Sequence, residues 1–289
     1  MILFKLIRVK NWVKNGFLIL PLIFSLNLFK EGVLITEIIG FFSFSFCCSF
    51  IYILNDIIDI NADQLHPRKK LRPLPAGKIS KTNAQIIGLV LLSTGLVSSF
   101  YLSQYFFIVV SAYVLLNICY SLILKEINIL EFLVVAINFV LRVLAGCFLI
   151  KVEPSGWILV VTFFLALFLI ITKRKSEIIQ LGDQAANHRK VLKHYTADFL
   201  DKLILISGTI TLCAYLLYSI DPEVIKAIES KNLIFTSVFV VIGLFRYIQL
   251  NSSSLYEGEG DPTTLLFKDP FTQLNILLWM GSIIAIIYG

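Results

Sequence analysis

Long apolar stretches separated by short polar segments dominate the pattern of hydrophobic and polar positions along this chain. From Ala84 to Leu124 there is no Asp, Glu, Lys, Arg or His. At about 1.5 Å per residue this stretch would make about 60 Å of helix, twice the thickness of a bilayer core, so it predicts two spans that turn near 98–104. The whole pattern predicts nine transmembrane helices, near 15–30, 33–54, 84–102, 104–124, 129–150, 155–172, 203–220, 232–250 and 271–288.

The composition supports this all-α interpretation and excludes an ordinary soluble domain. Hydrophobic residues make up 57% of the 289 positions and charged residues 15%, and the mean hydropathy is +0.85. We expect residues 1–289 to form one integral membrane domain with two polar cytoplasmic loops, about 55–82 and 173–202. The cysteines lie in apolar spans without metal-ligand spacing, which favours packing roles; they are Cys47, Cys48, Cys119, Cys147 and Cys213.

The distribution of basic residues predicts the orientation of the spans. With nine spans, the amino terminus and the loops after even-numbered spans lie on one side, and this side holds most of the 25 Lys and Arg residues, Lys5, Arg8 and Lys10 among them. Cytoplasmic loops collect Lys and Arg, so we expect a multi-pass plasma-membrane protein with a cytoplasmic amino terminus. The net charge of +6 follows from this asymmetry and does not indicate nucleic-acid binding.

The second predicted span ends in a group of oxygen-bearing side chains. If this segment is helical, Asn55, Asp56, Asp59 and Asp63 fall within an arc of about 100° on one face. A basic run that includes Arg68 and Arg72 follows directly, among prolines that favour a turn. Carboxylates together with substrate phosphates are the usual ligands of Mg2+, so the pattern predicts a metal and diphosphate site. A solvated helix end and a topology signal are the plainer alternatives.

Several other polar residues lie where they could contact a phosphate. Asn138 and Arg142 stand four residues apart, deep in the fifth span, where a buried arginine needs a partner. The alternative for Arg142 is a structural pair with Glu131 or a backbone carbonyl, and the alternative for the other residues is anchoring at the membrane interface. The remaining candidates for substrate binding are Lys14, Tyr120, Lys125, Lys173, Arg174, Glu177 and Arg189.

Taken together, these segments resemble the UbiA superfamily of intramembrane prenyltransferases. The central resemblance is Asn55-Asp56-x-x-Asp59-x-x-x-Asp63, followed by Arg72-Pro73 and Gly77. Further matching segments are Trp12-Val13-Lys14-Asn15, Tyr120-Ser121-x-x-Leu124-Lys125, Phe139-Val140-Leu141-Arg142-x-Leu144-Ala145-Gly146, Lys173-Arg174-Lys175-x-Glu177 and His188-Arg189-Lys190 with Tyr195-Thr196. The resemblance spans the whole chain and includes the nine-span plan.

The resemblance is strongest to the branch of the superfamily that transfers phosphoribose to a lipid in cell wall biosynthesis. Members that prenylate aromatic rings usually carry a second DxxxD segment after span six, whereas this chain has Lys173-Arg174-Lys175-Ser176-Glu177 there. Glu131 stands where the family's aspartate is expected. The resemblance implies transfer of 5-phosphoribose from 5-phosphoribosyl diphosphate to a polyprenyl phosphate of decaprenyl type. Asn55, Asp56, Asp59 and Asp63 would then hold Mg2+, and the basic residues would bind phosphoryl oxygens.

Two other functions are compatible with the same residues. A UbiA-type enzyme with a prenyl diphosphate donor and an aromatic or other small acceptor would use the same acidic face. A transporter of organic anions is the third interpretation, although transporters usually carry their ionisable groups near the bilayer midplane, whereas these acids lie at one membrane face. The sequence leaves open whether the protein forms a homo-oligomer.

Overall fold

The computed structural model describes residues 2–65, 69–182, 190–252 and 262–289, and these residues form helices and turns without a β-strand. The α-helices are α1 Ile2–Leu6, α2 Leu20–Phe24, α3 Val33–Ile58, α4 Ile60–Leu65, α5 Lys81–Leu102, α6 Gln104–Leu122, α7 Leu130–Ile150, α8 Gly156–Leu181, α9 Ala197–Ile220, α10 Pro222–Ile228, α11 Ser237–Ser252, α12 Pro262–Lys268 and α13 Pro270–Tyr288. Short 3-10 helices lie at Val9–Leu18, Lys69–Leu71, Leu124–Glu126, Lys190–His194 and Asn232–Thr236.

Eight helices in the described part of the chain are long and apolar enough to cross a membrane. They are Val33–Ile58, Lys81–Leu102, Gln104–Leu122, Leu130–Ile150, Gly156–Gln180, Ala197–Ile220, Asn232–Ser252 and Pro270–Tyr288. Each corresponds to one of the spans predicted from the hydrophobic pattern. The prediction of an all-α polytopic membrane protein is confirmed.

The predicted first span, 15–30, is not a continuous α-helix, so the count of nine is not confirmed. It contains the end of the 3-10 helix Val9–Leu18 and then α2, which has Pro21 in its first turn. This segment nevertheless runs antiparallel to α3. The Trp12 indole donates to Ser49 at 3.0 Å, and the Asn15 amide donates to Ser45 one turn earlier in α3 at 2.9 Å. Nine crossings remain a prediction, which this antiparallel path favours.

The chain divides into two compact units, Met1–Val134 with Leu141–Glu153, and Val135–Val140 with Pro154–Gly289. In the first unit α5 packs closely on α3 because Gly95 lacks a side chain. A Cβ atom at Gly95 would lie 2.6 Å from Cys47 Sγ and 2.7 Å from the Ser43 carbonyl oxygen. The Ser43 and Ser98 hydroxyls bond at 2.8 Å in the same contact. The expected single domain from 1 to 289 stays a prediction.

Hydrogen bonds between helices organise the second unit. Tyr247 of α11 donates to the Leu169 carbonyl of α8 at 3.2 Å, and Asn275 of α13 donates to the Phe239 carbonyl of α11 at 2.9 Å. Trp279 of α13 donates to the Tyr215 hydroxyl of α9 at 3.0 Å. Pairing polar groups inside the unit avoids leaving them unsatisfied in an apolar environment.

Apolar side chains also cover the outside of the helices. On α5, Ile86, Leu89, Val97 and Phe100 lie on one helical face and are each more than half exposed. Such a stripe would be unfavourable in water but matches the acyl chains of a bilayer. The exposed apolar surface therefore agrees with the membrane assignment.

Candidate active site

Asp56, Asp59 and Asp63 lie on successive turns where α3 passes into α4. Helix α3 ends at Ile58, and Asp59 is its C-cap. Backbone bonds still connect the turns, from the Asp59 amide to the Asn55 carbonyl at 2.9 Å and from the Asp63 amide to the Asp59 carbonyl at 2.8 Å. These bonds carry the helical hydrogen-bond pattern across the break between α3 and α4, and the half-buried Asn55 lies on the turn before Asp59.

Asp56 and Asp63 are buried in a cluster of ion pairs. Arg8 and Arg72 both bond to Oδ1 of Asp56, Arg72 at 3.1 Å. The same Nη1 atom of Arg72 lies 2.6 Å from Asp63 Oδ2, and Lys69 Nζ lies 3.5 Å from the other Asp63 oxygen. The side chains of Asp56 and Asp63 are only 2% and 3% exposed. Two buried carboxylates are therefore surrounded by three cations.

Asp59 has a different environment from the other two aspartates. Its side chain is 39% exposed and accepts a bond from Lys125 Nζ at 2.7 Å. Lys125 lies in the 3-10 helix that follows α6, and Tyr120 lies half-buried in the last turn of α6. The sequence predicted only that Lys125 lies on the same side of the membrane as the acidic face, and the structure adds its direct contact with Asp59.

The conformation of the loop after α4 brings Arg72 into contact with Asp56 and Asp63. Gly77 has a φ of +67°, a conformation that L side chains rarely adopt, and the Lys78 amide bonds back to the Pro73 carbonyl at 2.9 Å. Leu74 anchors the loop in a core cluster that includes Ile53 of α3. Burial, and next the positive charge of Arg8, lower the pKa of the Arg72 guanidinium below its usual value.

The donor atoms at this site are of the type that Mg2+ prefers, but guanidinium nitrogens lie between them. Among residues 2–65, 69–182, 190–252 and 262–289, no group of three or more His, Cys, Asp or Glu side chains is arranged to hold a metal ion. Asp56 and Asp63 oxygens both lie within 3.1 Å of Arg72 Nη1. Carboxylate oxygens fit a hard cation, so these residues fit Mg2+ provided that the guanidinium moves aside.

Arg142 lies deeper in the first unit, in a polar network of its own. Its Nε donates to Asn15 Oδ1 at 2.9 Å and its Nη2 to the Tyr113 hydroxyl at 3.2 Å. Nη2 also approaches Cys48, which is eight residues before Asp56 and so about 12 Å away along α3. Asn138, on the preceding turn of α7, belongs to the second unit. A role of either residue in phosphate binding stays a prediction.

A second group of predicted residues lies near the carboxyl end of α8, in the second unit. Arg174 is buried and bonds to Glu177 at 2.7 Å. Lys175 pairs with Asp201 of α9 at 2.6 Å, and Lys173 is half-buried one residue before Arg174. Two of the predicted phosphate ligands, Arg68 and Arg189, lie outside the described residues. Lys14 is half-buried in the 3-10 helix Val9–Leu18.

Arg8 is the member of the cluster that sequence reasoning missed, since it was assigned to topology. Its contact with Asp56 joins residues 48 positions apart, which a local pattern cannot reveal. The available signal was its position four residues before Trp12, at the start of a segment that also holds Lys14 and Asn15. The antiparallel path of that segment along α3 brings Arg8 to the acidic end of the helix.

The sequence matches the model of the UbiA prenyltransferase family over residues 18–257. The chain belongs to the UbiA prenyltransferase family. As a UbiA protein it is a membrane-embedded transferase, and the resemblance seen in the motifs of its sequence is confirmed.

Two relatives cover nearly all of this UbiA chain. The decaprenyl-phosphate phosphoribosyltransferase of Mycolicibacterium smegmatis is 29% identical, over 99% of this chain and 92% of the relative. The enzyme of the same name from Corynebacterium glutamicum is 29% identical, over 98% of this chain and 86% of the relative. A UbiA homologue from Archaeoglobus fulgidus, solved with GPP and Mg2+, has a TM-score of 0.74, 20% identity and full coverage of both chains. The last comparison establishes the UbiA fold.

Proposed function

We propose that this protein transfers 5-phosphoribose from 5-phosphoribosyl diphosphate to a polyprenyl phosphate of decaprenyl type, and releases diphosphate. The observation that carries the proposal is the near full-length similarity to two relatives named decaprenyl-phosphate phosphoribosyltransferase. We infer that the reaction takes place at the cytoplasmic side of the plasma membrane and that the amino terminus is cytoplasmic, and the distribution of Lys and Arg supports this inference.

The acidic end of α3 is the proposed site of the donor diphosphate. Asp56 and Asp63, with Asp59 and Asn55 on adjacent turns, would hold one or two Mg2+ ions. When bound, Mg2+ supplies positive charge that stabilises the leaving diphosphate. Arg72 and Lys125, which contact these aspartates, would bind diphosphate oxygens, together with Lys14 and Arg68. A site with more cations than carboxylates suits a highly charged anion.

We infer that the basic residues near the carboxyl end of α8 make the site selective for a phosphoribosyl donor over a prenyl diphosphate. A phosphoribosyl donor carries a phosphate at C5 in addition to its diphosphate, whereas a prenyl diphosphate carries none. The segment from Lys173 to Glu177 stands where aromatic prenyltransferases usually have a second DxxxD motif, and Arg189 follows in the next loop. Arg174 is buried with its Nη1 bonded to Glu177, so its guanidinium is held in one orientation, from which its N–H groups would donate to phosphate oxygens.

The acceptor needs little activation in this scheme. An oxygen of the lipid phosphate, already an anion, attacks C1 of the ribose. The bond from C1 to the diphosphate oxygen breaks, and its electron pair leaves with the diphosphate. One displacement of this kind inverts the configuration at C1. No strong general base is required, and the residues act by positioning the reactants and stabilising charge.

The test is transfer of label by the purified protein in detergent. The protein is incubated with Mg2+, a polyprenyl phosphate and 5-phosphoribosyl diphosphate labelled in its ribose. We expect label in the organic phase, and we expect its loss with a chelator or in Asp59→Ala. The matched control is Asp198→Ala, which removes an exposed carboxylate paired with Lys202 and should leave transfer unchanged.

Two results would count against the proposal. If no label reaches the lipid while a prenyl diphosphate is consumed with an aromatic acceptor, the protein is a prenyltransferase of the other kind. If neither donor reacts, transport of an organic anion becomes the better interpretation.

A further inference from the structure

Arg8 is held in an unusual conformation against the acidic end of α3. Its backbone is left-handed, with φ 53° and ψ 49°, a conformation that residues other than glycine rarely adopt. Its side chain explains why the conformation persists. The guanidinium bonds to Asp56, and its carbon lies 4.9 Å from the centre of the Tyr52 ring. These two contacts of the guanidinium hold Arg8 beside the proposed site.

Arg8 and Arg72 occupy positions that suit a metal ion. Both guanidinium groups bond to Oδ1 of Asp56, and Arg72 also bonds to Asp63 at 2.6 Å. A carboxylate oxygen that already accepts two charged donors has little capacity left for a cation. The two guanidinium groups also repel each other, because they share one oxygen. The arrangement neutralises the aspartates but keeps two like charges in close proximity.

We propose that Arg8 and Arg72 are exchangeable counter-cations of Asp56 and Asp63. They hold the carboxylates while the site is empty, release them to the metal when the metal-bound diphosphate enters, and turn to the diphosphate oxygens. Arg8 is thus a counter-ion of Asp56 in the empty site and a ligand of the diphosphate in the loaded site. The inference rests on the metal and diphosphate part of the proposed function, and it does not depend on which group the diphosphate carries.

The exchange predicts a strong coupling between the two ligands. Metal alone must compete with two arginines for the carboxylates and gains nothing from the guanidinium groups it displaces. Diphosphate alone must attract guanidinium groups away from carboxylates that would be left unpaired and buried, which is costly. When both bind, every charge regains a partner. Each ligand should therefore raise the affinity for the other by the same factor.

The experiment measures binding of Mn2+ to the purified protein in detergent, by electron paramagnetic resonance, with and without inorganic diphosphate. In the intact chain we expect diphosphate to raise the Mn2+ affinity about tenfold or more. In Arg8→Gln we expect tighter binding of Mn2+ alone, weaker binding of diphosphate alone, and a coupling reduced to about threefold or less. Arg8→Lys should retain most of the coupling because it keeps the charge.

Lys10→Gln is the matched control, since it removes an exposed positive charge from the same segment. It should behave like the intact chain. The inference is overturned if Mn2+ and diphosphate bind independently in the intact chain, a result that needs no variant to fold. It is also overturned, with the proposed function left standing, if Arg8→Gln keeps the full coupling. Failure of Mn2+ to bind the intact chain even with diphosphate would overturn both proposals.

Discussion

Two buried aspartates of this protein are paired with arginines in opposite ways. Asp269, in the second unit, accepts two bonds from the single guanidinium of Arg246, at 2.7 and 3.0 Å. It also accepts the Thr272 amide at 3.0 Å and the Thr272 hydroxyl at 2.7 Å, and so caps α13. Asp56, in the first unit, receives its bonds from two separate arginines at one oxygen atom.

The difference lies in how the charges balance. At Asp269 one cation meets one anion in the two-pronged geometry that fixes both side chains, and the bonds to Thr272 complete the cap. At Asp56 and Asp63 three basic residues surround two carboxylates. The first arrangement joins α11 to α13. The second leaves positive charge in excess, as the proposed binding of a diphosphate requires.

The strongest test of this contrast replaces each aspartate by asparagine. We expect Asp56→Asn to lower the transfer rate about a thousandfold, because a metal ligand and the partner of two arginines are lost together. Asp269→Asn should leave the rate per folded molecule within about threefold of the intact chain. Steady-state assays on monodisperse fractions measure both. Equal losses of activity would show that the two pairs do not differ in role.

The second unit contains both kinds of arginine. Arg246 pairs with Asp269, whereas Arg174 is proposed to bind substrate. We expect Arg174→Gln to raise the KM for 5-phosphoribosyl diphosphate by about ten- to a hundredfold, the effect of losing one charge-assisted hydrogen bond. Its kcat should change little. Lys202→Gln, at an exposed pair with Asp198, is the matched control. A lower kcat with an unchanged KM would contradict binding of the donor by Arg174.

Arg142 differs from the arginines above in that it donates to uncharged side chains, Asn15 and Tyr113 among them. We expect Arg142→Met to lower the Tm by several degrees, because Asn15 Oδ1 then loses a buried donor. Thermal unfolding in detergent measures this change. Titration of polyprenyl phosphate in the same variant tests the predicted phosphate contact separately. A raised KM for the lipid with an unchanged Tm would assign Arg142 to the site.

The smallest effect should be the pH dependence of the Asp269 pair. Hydrogen bonds from Arg246, more than any other cause, lower the pKa of Asp269 to about 2. The carboxylate then stabilises the fold fully above the unfolded pKa of about 3.9, and this contribution disappears as the pH falls towards 2. We expect Asp269→Asn to lower the Tm by a few degrees at pH 7, and the difference from the intact chain to shrink below pH 4. A difference in Tm that stays constant from pH 7 to below pH 4 would contradict the prediction that the charged form of Asp269 stabilises the fold.

Hydrophobic length predicted most of the fold because every spanning helix needs its own apolar stretch. The predicted span 155–172 is shorter than α8, which continues to Leu181, because polar residues beyond the membrane are also helical. The 3-10 helix Val9–Leu18 could not be predicted in this way. Its apolar residues Val9, Trp12, Val13 and Phe17 recur at α-helical spacing, so the pattern favours an α-helix. The segment is instead held as a 3-10 helix with side-chain bonds to α3 such as that of Asn15 to Ser45.

The site was predictable where its contacts are local. Helical spacing predicted Asp56 and Asp63 on one face, two turns apart, and the proline and glycine turn beside the basic run predicted an anion site that includes Arg72. The contact of Arg8 with Asp56 and that of Lys125 with Asp59 span 48 and 66 residues. The first was missed, and the second was expected only as placement on the same side of the membrane. Contacts of this length depend on how helices pack, which local spacing does not determine.

The antiparallel path of the amino-terminal segment has a consequence for biosynthesis. All members of the buried ion cluster, Arg8, Asp56, Asp63, Lys69 and Arg72, fall within the first 72 residues. Once this stretch has left the ribosome, the charges can neutralise each other before any later helix has emerged. Helices α3 and α4, which carry the two buried aspartates of the cluster, can then insert with the counter-ions already in place.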